Sequence, residues 1–320
     1  MNIRPHVALV AGAAGLVGSA LCRYLLDRGV AVVAVDNFLT GSEVNLQALF
    51  NHPGFELLHH DICQPLPDLS CHPLKYIFHL ASPASPDDFG PLALEIMAVN
   101  TQGTYNLLRM AQKTGARLLF ASTSEVYGNP QVHPQPESYW GHVNPLGARS
   151  CYDESKRFGE SLITHYARLQ GVDYVLARIF NTYGPRMRLD DGRVIPNFIR
   201  ALLRGEALVL HGGGQQTRSF CYVDDLVRGL YLMMLSPEAS GEVLNIGNPQ
   251  EFTVEVLATT LCEVAGVPVN LRVVPSPRPD DPERRCPDIS RMQALTGWQP
   301  QIDLRTGLEK TLAFFADTAA

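Results

Sequence analysis

A tyrosine and a lysine four residues apart, Tyr152 and Lys156, are the residues of this sequence best suited to acid–base chemistry. They begin a run, Tyr152–Gln170, whose apolar residues recur at helical spacing, so both side chains are expected on one face, one turn apart. Free tyrosine has a pKa of about 10 and is a poor base at neutral pH. An ammonium group one turn away favours the phenolate and is expected to lower that pKa. The pair could therefore take a proton from an alcohol while a hydride leaves for a cofactor.

A glycine-rich stretch near the N-terminus, Gly12-Ala13-Ala14-Gly15-Leu16-Val17-Gly18, has the context of a dinucleotide site. The preceding Val7–Val10 is typical of a buried parallel strand, and an amphipathic helix follows to about Arg28. Glycines let backbone amides approach a pyrophosphate, and the helix N-terminus favours its charge. The next predicted strand, Val30–Val35, ends at Asp36, whose carboxylate would bind the adenosine ribose and repel a 2′-phosphate. The stretch therefore predicts NAD rather than NADP.

Strands and helices alternate along much of the chain, which predicts an α/β fold with a Rossmann-type doubly wound parallel sheet. Further predicted strands are Phe55–His59, Tyr76–Leu80, Leu118–Ala121, Val172–Phe180, Leu208–His211 and Leu244–Gly247. Further predicted helices are Leu94–Thr114, Asn197–Arg204, Val223–Leu235 and Phe252–Ala265. We expect an NAD-binding domain of residues 1–181 plus about 216–248. A smaller, interleaved C-terminal substrate domain is expected to comprise about 182–215 plus 249–320.

Composition excludes several classes of function. The 320 residues carry a net charge of −6 and no basic stripe, so nucleic-acid binding is not expected. No apolar run reaches the roughly 18–20 residues that a membrane span needs. Seven cysteines without a CxxC pair predict reduced thiols and a cytoplasmic protein. The adjacent His59 and His60 would point to opposite faces of a strand, so no metal site is expected there or elsewhere.

Blocks of sequence along nearly the whole chain, from about Val7 onward, carry a more specific signal. They are Thr123–Gly128, His142–Pro145, Cys151–Arg157, Asn181–Met187, Asp191–Arg193, Gln216–Arg218 and Asp280–Asp288. Together with the glycine motif they resemble the extended branch of the short-chain dehydrogenase/reductase superfamily. Within that branch they resemble the UDP-glucuronate decarboxylase (UDP-xylose synthase) family.

Ser124-Glu125 helps to separate the activities of this branch. Nucleotide-sugar 4,6-dehydratases have an Asp-Glu pair there, and they need an acid for the leaving hydroxyl. Ser124 is a poor proton donor, whereas loss of carbon dioxide needs only a 4-keto group β to the carboxylate. Decarboxylation is therefore favoured, with a 4,6-dehydratase or a 4-epimerase as the alternative. A non-catalytic sensor of nucleotide sugar or NAD is a further alternative, although the intact Thr123, Tyr152 and Lys156 argue against it.

The resemblance implies conversion of UDP-glucuronate to UDP-xylose through a UDP-4-keto-hexuronate, with the NAD cofactor regenerated. Tyr152 would remove the C4 hydroxyl proton, Lys156 would bind the nicotinamide ribose, and Thr123 would position the C4 oxygen. Glu125 and Arg285 would act at the C5 end of the sugar. The implied catalytic residues are Thr123, Ser124, Glu125, Tyr152, Lys156 and Arg285.

The resemblance also implies the binding residues. Expected cofactor contacts are Gly12, Gly15, Leu16, Val17, Gly18, Asp36, Asn37, Thr40, Asp61, Ile62, Leu80, Ala81, Ser82, Tyr152, Lys156, Thr182 and Arg188. Expected substrate contacts are Pro83, Ser85, Glu125, Asn181, Arg193, Val194, Arg218, Tyr222 and Arg285. One departure is Ala98, where the family usually has a lysine, so affinity or specificity for the substrate could differ.

The resemblance further implies a homodimer. In this superfamily the helices corresponding to Leu94–Thr114 and Tyr152–Gln170 pair with those of a second subunit as a four-helix bundle. Both predicted helices have apolar residues beyond one face.

Overall fold

The structure is a computed structural model that describes residues 6–69, 71–275 and 284–319. The block Asp280–Asp288 therefore lies partly outside the described residues.

The strands and helices follow one another along the chain in the expected alternation. The strands are β1 (Val7–Ala11), β2 (Ala31–Asp36), β3 (Phe55–His59), β4 (Leu74–His79), β5 (Arg117–Thr123), β6 (Tyr174–Ile179), β7 (Thr182–Tyr183), β8 (Leu208–His211), β9 (Thr217–Ser219), β10 (Cys221–Tyr222), β11 (Val243–Ile246), β12 (Glu251–Thr253), β13 (Leu271–Val274) and β14 (Arg284–Arg285). The α-helices are α1 (Leu16–Leu26), α2 (Ala93–Ala98), α3 (Thr104–Thr114), α4 (Ser150–Gln170), α5 (Val194–Leu203), α6 (Val223–Leu235), α7 (Val254–Ala265), α8 (Ser290–Thr296) and α9 (Leu304–Ala319).

A seven-stranded sheet in the order β11-β6-β5-β4-β1-β2-β3 forms the centre of the fold, and all its pairings are parallel. Successive apolar residues of a strand pack into two hydrophobic cores, one on each face of the sheet. Ala8 of β1 packs in the core that contains Leu21 of α1 and Leu226 of α6, whereas Leu9 packs in the core that contains Ile163 of α4. The prediction of a doubly wound Rossmann-type sheet is confirmed.

The order of the strands reverses on either side of β1, which lies between β2 and β4. In open α/β sheets, ligands bind in the crevice at the carboxyl ends of the strands next to such a reversal. The loops that leave β1, β4 and β5 therefore define where the functional site should be sought.

Short strands outside the large sheet bring distant parts of the chain together. β9 pairs with β12 in antiparallel fashion and with β14 in parallel fashion, and the second pairing places Arg285 beside Arg218. The chain returns to the large sheet at β11, which pairs with β6. The division into two domains at the expected boundaries stays a prediction.

Two predicted helices differ in detail. The predicted helix Leu94–Thr114 is divided by a π-helical turn, Val99–Gly103, between α2 and α3. The predicted start of a helix at Phe252 is wrong because Phe252 belongs to β12, whose pairing with β9 overrides the local helical pattern. Helix α7 begins only after Thr253, whose hydroxyl accepts a hydrogen bond from the amide of Val256 at 3.1 Å.

Within the described ranges, none of the helices has the length and apolar character required to cross a lipid bilayer.

Candidate active site

The glycine motif closes the turn between β1 and α1 against the loop that follows β4. Gly12 has a φ of +81°, and a Cβ there would lie 2.6 Å from the backbone of Leu80 and Ala81. A Cβ on Gly18 would lie 2.0 Å from the carbonyl oxygen of Gly12. Only glycine therefore allows these segments, including the predicted cofactor contacts Leu80–Ser82, to approach so closely.

Gly15 faces a different environment and fits the role of a phosphate cradle. It is the N-cap of α1 and, having no side chain, cannot cap the first amides of the helix, which have no partner within the helix. A Cβ at Gly15 would come no closer than 3.7 Å to a neighbouring atom, so the backbone is open on this side. Leu16 and Val17, both partly buried, form the first turn of α1. Unpaired helix amides next to an open backbone favour a bound pyrophosphate.

Asp36 is held at the end of β2 by two backbone amides. Its Oδ2 accepts a hydrogen bond from Ala14 and its Oδ1 accepts one from Phe38, both at 2.8 Å. Burial raises the pKa of this carboxyl, while the two amides act in the opposite direction. The carboxylate is thus fixed where the ribose of a dinucleotide bound at α1 would lie, and together with the cradle it fits NAD.

The other predicted adenosine contacts lie on the loops after β2 and β3. Asn37 is exposed and Thr40 partly exposed in the loop after β2. Asp61 accepts a hydrogen bond from the amide of Cys63 at 2.8 Å, and Ile62 is buried beside it. The structure places these residues on the same edge of the sheet as Asp36.

Tyr152 and Lys156 lie on the first turns of α4 and are 7% and 2% exposed. Thr123, at the end of β5, hydrogen-bonds to the Tyr152 phenol. Lys156 Nζ donates to the carbonyl oxygen of Ala121 at 2.7 Å and lies 5.7 Å from the centroid of the Tyr152 ring. The structure therefore brings the three residues of the predicted triad together.

The predicted lowering of the Tyr152 pKa by Lys156 is wrong for this structure. Burial raises the pKa of Tyr152 to about 12, and only the hydrogen bond of Thr123 and the charge of Arg193 act against it. Burial also lowers the pKa of Lys156 to about 7. Spacing alone could not show this, because the cost of burying each charged form is larger than the influence of the lysine on the phenol.

Glu125 is the centre of a buried ion-pair cluster. Its carboxylate accepts hydrogen bonds from Arg149 at 2.6 Å and from Arg285 at 2.6 and 2.8 Å. Burial alone would raise the pKa of Glu125, but the charges of Arg285, Arg149 and Arg218 lower it below its usual range. Glu125 is therefore ionised at neutral pH and is an acceptor rather than an acid.

Arg285 brings an unused donor to this cluster. Among the described residues, its Nε is buried without a hydrogen-bond partner. Because buried N–H groups are almost always paired, this donor is suited to an anionic ligand. The placement fits the predicted role of Arg285 at the substrate. Ser124, also a predicted catalytic residue, is buried directly before Glu125.

Three residues of the site were not identified from the sequence. Phe89 stacks on the Tyr152 ring, with centroids 5.0 Å apart and planes 16° apart, and the Arg149 guanidinium lies 5.5 Å from the Phe89 ring. Asp153 is 5% exposed, and its Oδ1 is buried without a partner among the described residues. Burial, followed by the charge of Glu125, raises the pKa of Asp153 to about 7. The position of Asp153 beside Tyr152 is the only signal that the sequence offered for any of them.

Hydrogen bonds and an ion pair connect the loop after β4 with the loop after β7, and both loops carry predicted binding residues. Ser85 donates a hydrogen bond to the carbonyl oxygen of Asp191, and Arg188 contacts Asp88 at 3.0 and 3.1 Å. Arg193, directly before Val194 and α5, contacts Asp191 at 2.5 Å. The two loops, with the buried Pro83, therefore meet near Tyr152, whose pKa responds to Arg193.

Other predicted binding residues lie apart from the Glu125 cluster. The Tyr222 ring packs in the core at 5.7 Å from Tyr183 and 5.5 Å from Lys310 Nζ, so its predicted substrate contact has no support here. The hydroxyl of Thr182 donates to Phe180, and Asn181 contributes its carbonyl oxygen to the amide of Cys221. Arg218, by contrast, is 7% exposed and acts on the Glu125 charge, so it belongs to the cluster.

One group in the described part of the chain has the composition of a metal site. Ligand atoms of His133, Glu251 and Cys286 lie within 4.8 Å of one another. The Gln135 amide is fixed because its oxygen accepts from Cys286 and its nitrogen donates to Val132, so that nitrogen also faces His133 Nδ1. The His133 proton must then lie on Nε2 and point at Glu251, 2.8 Å away. The group is a satisfied hydrogen-bonded pair rather than a set of free ligands.

Known proteins similar in sequence to this chain include NAD-dependent and UDP-sugar enzymes. The model of the NAD dependent epimerase/dehydratase family matches residues 8–247. The chain is 48% identical over 301 residues to UDP-glucuronic acid decarboxylase 3 of Arabidopsis thaliana, which covers 94% of this chain and 86% of that protein. It is 47% identical over 307 residues to UDP-glucuronic acid decarboxylase 1 of Xenopus tropicalis, covering 96% and 71%.

A solved structure adds ligands to this comparison. The UDP-glucuronic acid 4-epimerase of Bacillus cereus, in complex with UDP-glucuronic acid and NAD, superposes with a TM-score of 0.87 at 28% identity. The superposition covers 98% of this chain and 99% of that one.

Proposed function

The chain belongs to the NAD dependent epimerase/dehydratase family, and we propose that it is an NAD-dependent UDP-glucuronate decarboxylase. It would convert UDP-glucuronate to UDP-xylose through a UDP-4-keto-hexuronate and regenerate the cofactor. The observation that carries this proposal is the ionised, arginine-bound Glu125 beside the Thr123, Tyr152 and Lys156 triad. The names of the relatives that are 47–48% identical support it.

We assign oxidation at C4 to Thr123, Tyr152 and Lys156. NAD bound at Gly12–Gly18 and Asp36 would supply the hydride acceptor for C4 and later return the hydride. Because burial raises its pKa, the Tyr152 phenol must first pass its proton on, and Lys156, whose pKa burial lowers to about 7, would accept it. The phenolate would then receive the C4 hydroxyl proton, and Thr123 would hold the C4 oxygen through its hydroxyl. Lys156, with its pKa near 7, keeps a labile proton next to the phenol. All three residues are buried, which would limit the access of water to a C4 atom bound beside them.

Decarboxylation then needs no leaving-group acid. In the 4-keto sugar the C5–C6 bond breaks, and its electron pair moves through C5 to the C4 oxygen as an enolate. The protonated Tyr152 and Thr123 would donate hydrogen bonds to that oxygen. C5 then takes up a proton and the C4 keto group is reduced. Arg285, whose Nε has no hydrogen-bond partner among the described residues, would bind the sugar carboxylate.

The state of Glu125 argues against a 4,6-dehydratase. Elimination of water requires an acid for the leaving hydroxyl, Ser124 is a poor proton donor, and the flanking arginines keep the neighbouring Glu125 ionised. A 4-epimerase remains the second candidate, because the superposed Bacillus cereus enzyme is a UDP-glucuronic acid 4-epimerase. The experiment is to incubate the protein with UDP-glucuronate and NAD and to identify the product by mass and NMR. UDP-xylose is expected, UDP-galacturonate would show an epimerase, and unchanged substrate would favour a sensor.

Cofactor preference gives the first mutational prediction. Asp36→Ala removes the carboxylate that repels a 2′-phosphate, so NAD binding should weaken and discrimination against NADP should shrink, both measured by calorimetry. Glu43→Ala, on the loop after Asp36, is the matched control and should leave both affinities unchanged. Equal affinity of the unaltered protein for NAD and NADP would show that Asp36 does not select the cofactor.

We also propose a homodimer formed through α2, α3 and α4. Their surfaces expose large apolar side chains, Leu94 at 77%, Phe158 at 52% and Leu169 at 80%. Light scattering should give the mass of a dimer, and Phe158→Glu should shift the protein toward monomer. Val44→Glu, at an apolar residue outside these helices that is 73% exposed, is the control. A monomer mass at all concentrations would refute the dimer.

The proposed location is the cytoplasm. All seven cysteines are free, which supports a reducing compartment.

A further inference from the structure

Arg149 contacts both halves of the proposed site. Its Nη2 donates to Glu125 Oε2 at 2.6 Å, and its guanidinium lies 5.5 Å from the ring centroid of Phe89. Phe89 in turn stacks on Tyr152 with a centroid distance of 5.0 Å. The side chain of Arg149 is 13% exposed, so these contacts form in a largely dry environment where charge interactions are strong.

We propose that Arg149 is a positioning residue that couples the two chemical steps, fixing the Glu125 carboxylate for decarboxylation and supporting the ring of Tyr152 through Phe89. This inference rests on the proposed function. It assigns no contact with substrate to Arg149, which acts through Glu125 and Phe89.

The charges around Glu125 determine what loss of Arg149 should do. The charged and titratable groups that face Glu125 come from two strands and the start of α4: Arg285 on β14, Arg218 on β9, and Arg149, Tyr152 and Asp153 at α4. Burial raises the pKa of Glu125, and Arg285 is the strongest influence that lowers it. Arg149 lowers it twice, through its charge and through its hydrogen bond.

Removal of Arg149 should therefore raise the pKa of Glu125. Because a carboxyl with a lowered pKa is ionised down to acidic pH, Glu125 stays charged in the unaltered protein as the pH falls. Without Arg149, it should take up a proton at a higher pH, and decarboxylation should be lost there. Oxidation at C4 does not use Glu125, so the acidic side of the pH profile for NADH formation should not shift.

The test compares Arg149→Met with Arg149→Lys in the full chain loaded with NAD. Single-turnover NADH absorbance and trapped carbon dioxide are measured with UDP-glucuronate from about pH 5 to 9. In Arg149→Met, the acid limb of carbon dioxide release should move up by about one pH unit or more. NADH formation should fall by a factor of a few, independent of pH. Arg149→Lys restores the charge and should recover much of the shift.

Two controls test whether the acid limb of carbon dioxide release reports the titration of Glu125. Asp153 also feels Arg149, so the shift must persist when Arg149→Met is combined with Asp153→Asn. Disappearance of the shift in that background would overturn the proposal. Arg272→Met, at an exposed arginine of β13, should leave both profiles unchanged.

A measurement without turnover separates this inference from the proposed function. Carboxyl carbon-13 NMR of labelled glutamate, with the Glu125 signal assigned by Glu125→Gln, should show Glu125 titrating at higher pH in Arg149→Met. An unmoved titration would overturn the inference even if UDP-xylose is formed. Absence of carbon dioxide from the unaltered protein would instead refute the proposed function, whatever Arg149 does to Glu125.

Discussion

Tyr152→Phe should abolish NADH formation and carbon dioxide release together. Phenylalanine keeps the ring that stacks on Phe89, so the substitution removes only the hydroxyl that exchanges the C4 proton. A loss on the order of 10²–10⁴-fold is expected for removing a positioned acid–base group. Both products should fall because oxidation at C4 must precede loss of the carboxylate. The measurement is single-turnover absorbance of NADH beside trapped carbon dioxide.

A matched control is available on another helix. Tyr231→Phe removes a hydroxyl from α6, on a ring that packs against Tyr24, and should leave turnover unchanged. Near-normal turnover in Tyr152→Phe would contradict the assignment of the base.

The second large effect concerns Glu125 and Arg285. Glu125→Ala and Arg285→Ala should each reduce carbon dioxide release at least as much as Tyr152→Phe does, while NADH formation is retained better. Glu125→Ala removes the carboxylate that pairs with the buried Arg285, a loss that costs about 3–5 kcal/mol of stability in typical proteins, whereas Arg285→Ala leaves Glu125 paired with Arg149. Thermal unfolding must therefore be recorded beside activity, so that unfolded protein is not counted as inactive enzyme.

Arg284→Ala is the matched control for this pair. Arg284 is the neighbour of Arg285 on β14, but its side chain is 59% exposed and forms a long ion pair with Glu251 at 3.9 Å. It should retain decarboxylation. If Glu125→Ala and Arg285→Ala retain it too, the choice of decarboxylase over epimerase loses its residue-level support.

Features encoded in short stretches of sequence could be predicted. The strand, glycine turn and helix from Val7 to Leu26 depend on local patterns, and so does the pairing of Tyr152 with Lys156 on one helix face. The doubly wound sheet follows because parallel strands require crossover helices and both faces must be buried.

The electrostatics of the site could not be predicted in the same way. Arg149 lies 24 residues from Glu125 in sequence and Arg285 lies 160 residues from it, so no periodic pattern connects them. The influence of Lys156 on Tyr152 was misjudged because spacing reports proximity, whereas the pKa of a buried phenol is set mainly by desolvation. Family resemblance identified Arg285, but Phe89, Arg149 and Asp153 became visible only once the chain was folded.

The predicted substrate contact of Tyr222 stays a prediction without support from its surroundings. Tyr222 lies next to the Arg218 strand in sequence, and resemblance placed it at the substrate. In the fold it follows β9 into β10, which pairs with β7 and turns the ring into the core beside Tyr183. Arg218 on β9 faces the Glu125 cluster, whereas Tyr222 on the next strand, β10, packs in the core.

The central claim is that carbon dioxide is lost between oxidation and reduction at one carbon, with hydride held on NAD in between. The most direct test is UDP-glucuronate deuterated at C4, incubated with the protein and NAD in ordinary water and followed by NMR. We expect UDP-xylose that retains deuterium at C4 and gains one solvent proton at C5, with no net change in NAD. A product that keeps its sixth carbon, or UDP-xylose that has lost the C4 deuterium to solvent, would contradict it.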